Sequence, residues 1–557
     1  MSTTTASTTA TTIPSLFFAQ VKRSAGQPAL HFKKDGTWQI QTWSQVAQRV
    51  GQMATVLRSL GAQPGDRIIQ LAENCSQWII ADLAIQVCGA IHVPVHTPLT
   101  GSQIAYQISD SGAGIVLISG QEQAEKLVAV SSELPGDLQV VSYSACPLKI
   151  GAAEILCWDD LAEQVGESEG TGEQESGSPV EADSLATILY TSGTTGPPKG
   201  VMLTQQNLVS NAVGTYEAFE REPDDVRLSF LPFSHIFART CDLYTWLVGG
   251  TQLAVAESRE TVIADCVDVQ PVVLNGVPYF YDKLYRSLSE QGLAQTPGIV
   301  RQVLGGRIRN CCSGGAALPN HLFDFFEQQE VPLYQGYGLT ESSPVITVSS
   351  EKQVKRGSVG KPLRDIEVKI AADGEILTRG PHIMVGYYQN DQATTEVIQD
   401  GWLSTGDLGS LDEEGFLFIT GRKKEIIVTL GGKNVAPVLL ESLLTEDPLL
   451  EQVMVIGSER KFLTALVFPS MQALEKEVGG GEDCLSDPRA LALIERRIHD
   501  RLVDLSPYEQ IGRFTLIDRP FSLERNEMTP KLSLRRTVIE ANFSDQIELM
   551  YQAPRSQ

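Results

Sequence analysis

Between residues 42 and 119 the chain changes its hydrophobic period again and again, and that alternation limits the folds open to it more than any other feature. Thr42 stands before Val46, Val50, Met53, Leu57 and Leu60 at helical spacing, with Gly61 beyond them, so a capped amphipathic helix is expected. The run DRIIQLAEN then reads as a buried strand, residues 77–88 as a second helix, residues 91–95 as a short strand and GIVLIS, at 114–119, as another. Strand, helix and strand in succession indicate a wound α/β sheet. Further strands are expected at 185–190, 226–231, 251–256 and 271–274.

A chain of 557 residues exceeds one ordinary core. Its texture changes at GRKKEIIVTLGGKNVAP, residues 421–437, after which VMVIG, LTALVF and a helix near 491–505 suggest a compact α+β module. The expected fold class is α/β, a large N-terminal domain of wound α/β subdomains followed by a small mobile α+β C-terminal domain. The expected boundaries are 1–14 for a disordered N-terminus, 15–422 for the large domain and 423–557 for a lid. Residues 166–183, acidic and rich in Gly and Ser, are expected to be a flexible loop inside the large domain.

The 44 basic and 68 acidic residues leave a net charge of -24, which argues against a nucleic-acid partner and against electrostatic attachment to anionic lipid. At most a peripheral membrane contact is expected. The longest apolar passage, 78–95, is broken by Asp82, Gln86 and Pro94, well short of the roughly 20 clean residues of a membrane span. No basic residue precedes Lys22, so no signal or transit peptide is read and a cytoplasmic location is expected. Nine cysteines without a CxxC pair suggest neither a disulfide framework nor a zinc site, and Cys311 and Cys312 read as small buried residues. His92 and His96 have HxxxH spacing, but a strand sets residues four apart roughly 13 Å along its axis, too far to share a metal.

The candidate chemistry begins where the strand LATILY runs into TSGTTGPPKG. Gly193 and Gly196 let the backbone approach a ligand, Thr191, Ser192, Thr194 and Thr195 offer hydroxyls, and Lys199 adds a positive charge. An ATP triphosphate requires these groups, although the spacing is not that of GxxxxGK[ST]. In YGLTE, Glu341 beside Thr340 is a hard oxygen ligand suited to Mg²⁺ held partly by phosphates, and Tyr337, followed by Gly338, offers an aromatic face for adenine.

Five further segments follow in order: LPFSHIFAR at 231–239, CSGGAALP at 312–319, YQGYGLTESSP at 334–344, GWLSTGDLG at 401–409 and the GRKKEIIVTLGGKNVAP run. With the phosphate-loop stretch, they make the chain resemble the acyl-adenylate-forming enzymes from about residue 17 to 538, most of all the long-chain fatty acyl-CoA synthetases. The resemblance implies ATP, Mg²⁺ and coenzyme A with a fatty acid as substrate. It also implies that Gly314, Gly315 and Ala316 line the adenine pocket, that Asp407 accepts the ribose hydroxyls and that Arg422 contacts the ribose or phosphate side. His235 would lie near the acyl carboxylate and α-phosphate, Lys424 would be the hinge, and Gly431 and Gly432 would let backbone approach the pantetheine arm. An acyl carrier protein is the alternative acceptor. One departure motivates a rival reading as a catalytically weak ATP- or acyl-binding homologue: MTPKLSLRR places Ser533 where such relatives commonly have a lysine. Lys531, two residues earlier and roughly 7 Å away on the same side of an extended segment, is expected to act in its place.

Overall fold

The computed structural model describes residues 11–165, 180–191, 197–479, 484–522, 524–529 and 534–552. The first expected helix is Trp43–Ser59. Thr42 Oγ1 accepts the Gln45 N–H at 3.3 Å, and Gln45 Oε1 accepts the Thr42 N–H at 2.8 Å, a reciprocal cap. The helix buries Val46, Val50, Met53 and Leu57, and Leu60 follows as its cap. Strands Arg67–Leu71, Ile91–Val95 and Ile115–Ile118 are parallel neighbours, with helix Ser76–Val87 crossing between the first two. They lie in an eight-stranded sheet that also holds Leu185–Thr191, Lys199–Thr204 and, at one edge, Gly386–Tyr387.

A second, nine-stranded sheet orders Leu333–Gly338, Asn310–Ser313, Val273–Gly276, Val226–Ser229 and Gln252–Val255 side by side as parallel strands. Helices Ile13–Ser24, Trp43–Ser59, Ser76–Val87 and Gln205–Glu217 contribute to one continuous core with residues of both sheets. Trp43 and Trp246 stack within it at 4.4 Å between ring centroids. A five-stranded sheet, ending in the antiparallel pair Trp402–Leu411 and Leu417–Arg422, follows. Beyond Arg422 the chain builds a separate core from strands Leu450–Ile456, Leu463–Pro469 and Ile511–Leu516 with helices Pro437–Thr445 and Pro488–Leu502.

A buried ionic knot joins the layers. Asp82 receives Arg239 Nη2 at 2.5 Å, the Tyr244 hydroxyl at 3.0 Å and the His92 ring at 2.7 Å, while Arg239 Nη1 donates to Thr187 Oγ1 at 2.8 Å. On the other side of the same turn, Asp242 accepts from Ser229 Oγ and from Asn275 Nδ2, each at 2.7 Å. Buried charges persist only with such partners.

Two features differ from the sequence reading. A strand that the sequence reading did not include, Lys199–Thr204, returns antiparallel to Leu185–Thr191, so the Gly/Thr-rich passage joins two hydrogen-bonded strands. The first helix starts at Ile13, inside the stretch expected to be disordered: Thr12 caps it, and Ile13, Leu16 and Phe17 are apolar enough to be drawn into the core. The acidic segment falls largely outside the described residues, which resume at residue 180. All nine cysteines are free thiols, Cys311 and Cys312 among the buried ones. Among the described residues no helix is long and apolar enough to cross a membrane.

His92 and His382 are both buried. Burial holds His382 down at about 3, and burial together with the Arg239 charge holds His92 down at about 4. The unfolded chain takes protons on these groups near pH 6.5, so their stabilising effect is complete above that pH and is lost as pH falls toward 4. Chemical denaturation should show stability falling by a few kcal/mol across that window, with a shallower fall in His382→Gln. Parallel pH profiles for the two proteins would contradict this assignment.

Candidate active site

Strands Asn310–Ser313 and Leu333–Gly338 run parallel with Cys312 opposite Tyr334 and Ser313 opposite Gln335. The segments that leave their carboxyl ends, Gly314–Gly315–Ala316 and the turn Thr340–Ser342, therefore emerge side by side, where wound sheets place ligands. Space there is tight. A Cβ on Gly314 would lie 2.9 Å from the Phe237 ring, and one on Gly338 would run into the Pro344 carbonyl. Gly315 has φ +81°, a conformation open to glycine at little cost.

Tyr337 is turned inward. Its ring packs in a buried cluster with Ile346, Val359, Ile376 and Leu417, and its hydroxyl donates to Asp407 Oδ2 at 2.8 Å. Asp407, buried on strand Trp402–Leu411, receives Arg422 Nε on Oδ1 at 2.8 Å from the neighbouring strand. Burial raises the Asp407 carboxyl above its usual range, with Arg422 and Tyr337 pulling it back. Each oxygen thus has one fixed partner and keeps a lone pair for an incoming hydroxyl.

The cationic end forms around Lys199, which pairs with Thr191 across the two strands; Thr191 Oγ1 donates to the Lys199 carbonyl at 3.4 Å. Lys199 Nζ lies 4.8 Å from the centroid of the Tyr387 ring. The Tyr387 hydroxyl donates to Glu341 Oε1 at 2.8 Å, and Met384 N–H donates to the Glu341 carbonyl at 2.9 Å. Burial and the Glu341 carboxylate both raise the Tyr387 hydroxyl, so it remains a donor at neutral pH. One phenol therefore spaces the lysine from the glutamate. Tyr190, whose hydroxyl donates to Asp110 Oδ2 at 2.5 Å, and Tyr106, whose hydroxyl donates to the Pro198 carbonyl at 3.3 Å, brace the strand ends. Ser192, Gly193, Thr194, Thr195, Gly196 and Lys531 lie outside the described residues.

His235 caps the short helix Ile236–Ala238, its Nδ1 accepting the Phe237 N–H at 3.2 Å. The Phe237 ring in turn faces Gly314, which brings His235 to the same strand ends. A second histidine joins it: the His96 ring lies 6.2 Å away and nearly parallel, with His96 Nδ1 2.7 Å from Ser234 Oγ. Behind these groups an open cavity runs between helix Gln205–Glu217 and the sheet, and Phe237, Ser313 and Gly336 line it beside the site.

Lys424 sits in the turn Lys423–Glu425 directly after Arg422, and Lys423 Nζ is anchored to Asp373 and Glu375 at 2.7 Å each. Gly431 and Gly432 form the tip of the hairpin Ile427–Val428 and Asn434–Val435, where Gly432 has φ +70° and the adjacent Leu430 is 63% exposed. Among the described residues no three His, Cys, Asp or Glu side chains cluster as ligands. A divalent cation here would take Glu341 and fill its shell with phosphate oxygens and water, which suits Mg²⁺.

Sequence reasoning missed Tyr387 and set His96 aside. Tyr387, in VGYYQ, carries no spacing signal, and its contact with Glu341 spans 46 residues. His96 was visible as half of a rejected metal pair; its neighbour Ser234 is 138 residues away.

Residues 17–388 match the AMP-binding enzyme family, and residues 424–555 match the AMP-binding enzyme C-terminal domain. A long-chain-fatty-acid–CoA ligase of Mycobacterium bovis is 33% identical over 569 residues, covering 93% of each chain. An anthranilate CoA ligase in complex with anthranoyl-AMP superposes with a TM-score of 0.76 at 20% identity, covering 95% of this chain and 97% of that one. ATP-bound MatB from Rhodopseudomonas palustris superposes with a TM-score of 0.74 at 24% identity, covering 96% and 99%. These two structures share the fold, down to the small C-terminal domain. On the extent of these matches, the chain belongs to the AMP-binding enzyme family, within the AMP-forming acid–thiol ligases.

Proposed function

We propose that the chain is an acyl-CoA synthetase: it uses ATP to activate a medium- to long-chain fatty acid as acyl-AMP and transfers the acyl group to coenzyme A. The observation that carries this reading is the pair of bridges Lys199–Tyr387–Glu341 and Asp407–Tyr337, which set a phosphate-binding end and a diol-binding end at adjacent strand termini. The apolar side chains lining the cavity beside Phe237 suit an acyl chain, and the Mycobacterium bovis relative supports the fatty-acid class.

In this reading Asp407 accepts the ribose hydroxyls, Arg422 holds Asp407 and faces the ribose, and Gly314, Gly315 and Ala316 border the adenine with the Tyr337–Gly338 backbone. Lys199, Thr191 and Thr340, with Ser192, Thr194 and Thr195, donate to the phosphates as negative charge shifts toward the leaving pyrophosphate. Glu341 would hold Mg²⁺, which when bound neutralises phosphate charge. His235 orients the acyl carboxylate, one of whose oxygens bonds to the α-phosphorus as pyrophosphate departs. Rotation about Lys424 then brings the hairpin carrying Gly431 and Gly432 to the pantetheine arm. The thiolate sulfur bonds to the acyl carbon and AMP leaves with the electron pair of the broken acyl–phosphate anhydride bond. Lys531 is assigned to close over the nucleotide in the first half-reaction.

Pyrophosphate release measured over carboxylates from acetate to stearate should require a fatty acid, and thioester should appear only with coenzyme A. Lys531→Ala should lower the first half-reaction by about 10²–10³-fold. Failure of every acid to elicit pyrophosphate would end this reading. Asp407→Asn should weaken ATP binding by about 10- to 100-fold in calorimetry, the loss expected for charge-assisted hydrogen bonds; an unchanged affinity would remove Asp407 from the ribose site.

A further inference from the structure

The cavity has a definite direction. Near the site it is lined by Phe237, Ser313 and Gly336; at its other end stand Phe219 and Arg221. Phe219 packs 5.9 Å from the Tyr334 ring, and Tyr334 pairs with Cys312. Tyr334 and Cys312 precede Gly338 and Gly314 on their strands, so this end lies one to two strand repeats, roughly 7–13 Å, inward from the carboxyl ends.

Arg221 lines that end. Its guanidinium lies 4.8 Å from the centroid of the Phe219 ring, and Nη1 donates to the Glu220 carbonyl at 3.0 Å. Just beyond, the surface is polar and exposed: Glu351 Oε1 accepts the Glu220 N–H at 2.7 Å, and Lys352 pairs with the Glu220 carboxylate at 3.3 Å. The other arginine of the cavity, Arg227, is neutralised by Asp242 at 3.3 Å, whereas Arg221 forms no ion pair with a described residue. Burial pulls Arg221 down to about 10, with Arg227 adding to the effect, so it is still charged at neutral pH.

We infer that Arg221 sets the length of acyl chain the enzyme accepts, the chain terminus stopping against the guanidinium stacked on Phe219. This rests on the acyl-CoA synthetase reading. Each methylene buried before that point adds about four-fold to affinity, from the usual gain per buried CH₂. A chain long enough to reach Arg221 would press its apolar terminus against a charged group and gain nothing in return. Removing the guanidinium opens the floor toward solvent and lets longer chains pass.

The test is kcat/KM for straight-chain acids from hexanoate to eicosanoate in the wild type, Arg221→Ala, Arg221→Met and Arg221→Lys. The wild-type profile should rise and then break. Arg221→Ala and Arg221→Met should move the break to longer acids and improve the acids just past it by ten-fold or more, while Arg221→Lys, which keeps the charge, should leave the break in place. Arg221→Met fills most of the side chain's volume and serves if Arg221→Ala does not fold. An unmoved break in the variants, or an equal loss at every length, overturns the inference while leaving the synthetase reading intact. A wild type inactive toward every acid overturns the reading beneath it.

Discussion

The turn Arg239–Tyr244 is clasped from both sides by buried charge, and the relation between the two large sheets depends on it. Arg239 reaches Asp82 and Thr187 in the first layer, while Asp242 reaches Ser229, Arg227 and Asn275 in the second. Burial pushes the Asp82 carboxyl up, but Arg239 and His92 outweigh it and hold the group down at about 2, so it stays charged. Breaking such a pair by removing one partner typically costs about 3–5 kcal/mol, because the other charge is stranded away from water. Thr187 lies four residues before Thr191 on the same strand, and Arg239 lies four residues after His235. One guanidinium therefore sets the distance between the strand leading to the phosphate end and the segment carrying the histidine.

The site repeats this device on a smaller scale with two phenols. Tyr387 stands between Lys199 and Glu341, and Tyr337 fastens the buried Asp407 to the strand end it must face. Neutral donors hold the ligating charges without neutralising them, and the surrounding sheet holds the donors. Groups fixed in this way need little rearrangement when a nucleotide arrives, which is the condition for electrostatic stabilisation of a charged transition state. Arg422, half-exposed at the last strand before the small domain, is tied to Asp407 on one side and stands directly before the turn carrying Lys423 and Lys424, the proposed hinge, on the other.

Period and capping signals made the wound sheets legible: Thr42 caps the helix it was expected to cap, and residues 91–95 are a strand with the expected bounds. The antiparallel return of Lys199–Thr204 was not readable, because a buried apolar run does not carry the direction of its partner. At the site, the residues within contiguous motifs stood out, and the structure links Lys199 through Tyr387 to Glu341, Tyr337 and Arg422 to Asp407, and His235 through Phe237 to Gly314. Their supports were hidden. Tyr387, His96, Asp110 and Arg221 act through partners distant in sequence or through depth in a cavity, and neither leaves a period. The inward turn of Tyr337 was equally unreadable, since a buried aromatic and a ligand-facing one look alike in a motif.

In the proposed reaction an acyl carboxylate oxygen bonds to the α-phosphorus of a nucleotide held between Asp407 and Lys199. It is tested most directly by a single turnover with a fatty acid whose carboxylate carries oxygen-18. One labelled oxygen is expected in the AMP released after thioester formation and none in the pyrophosphate. Label in inorganic phosphate or pyrophosphate, or unlabelled AMP alongside thioester product, would contradict it.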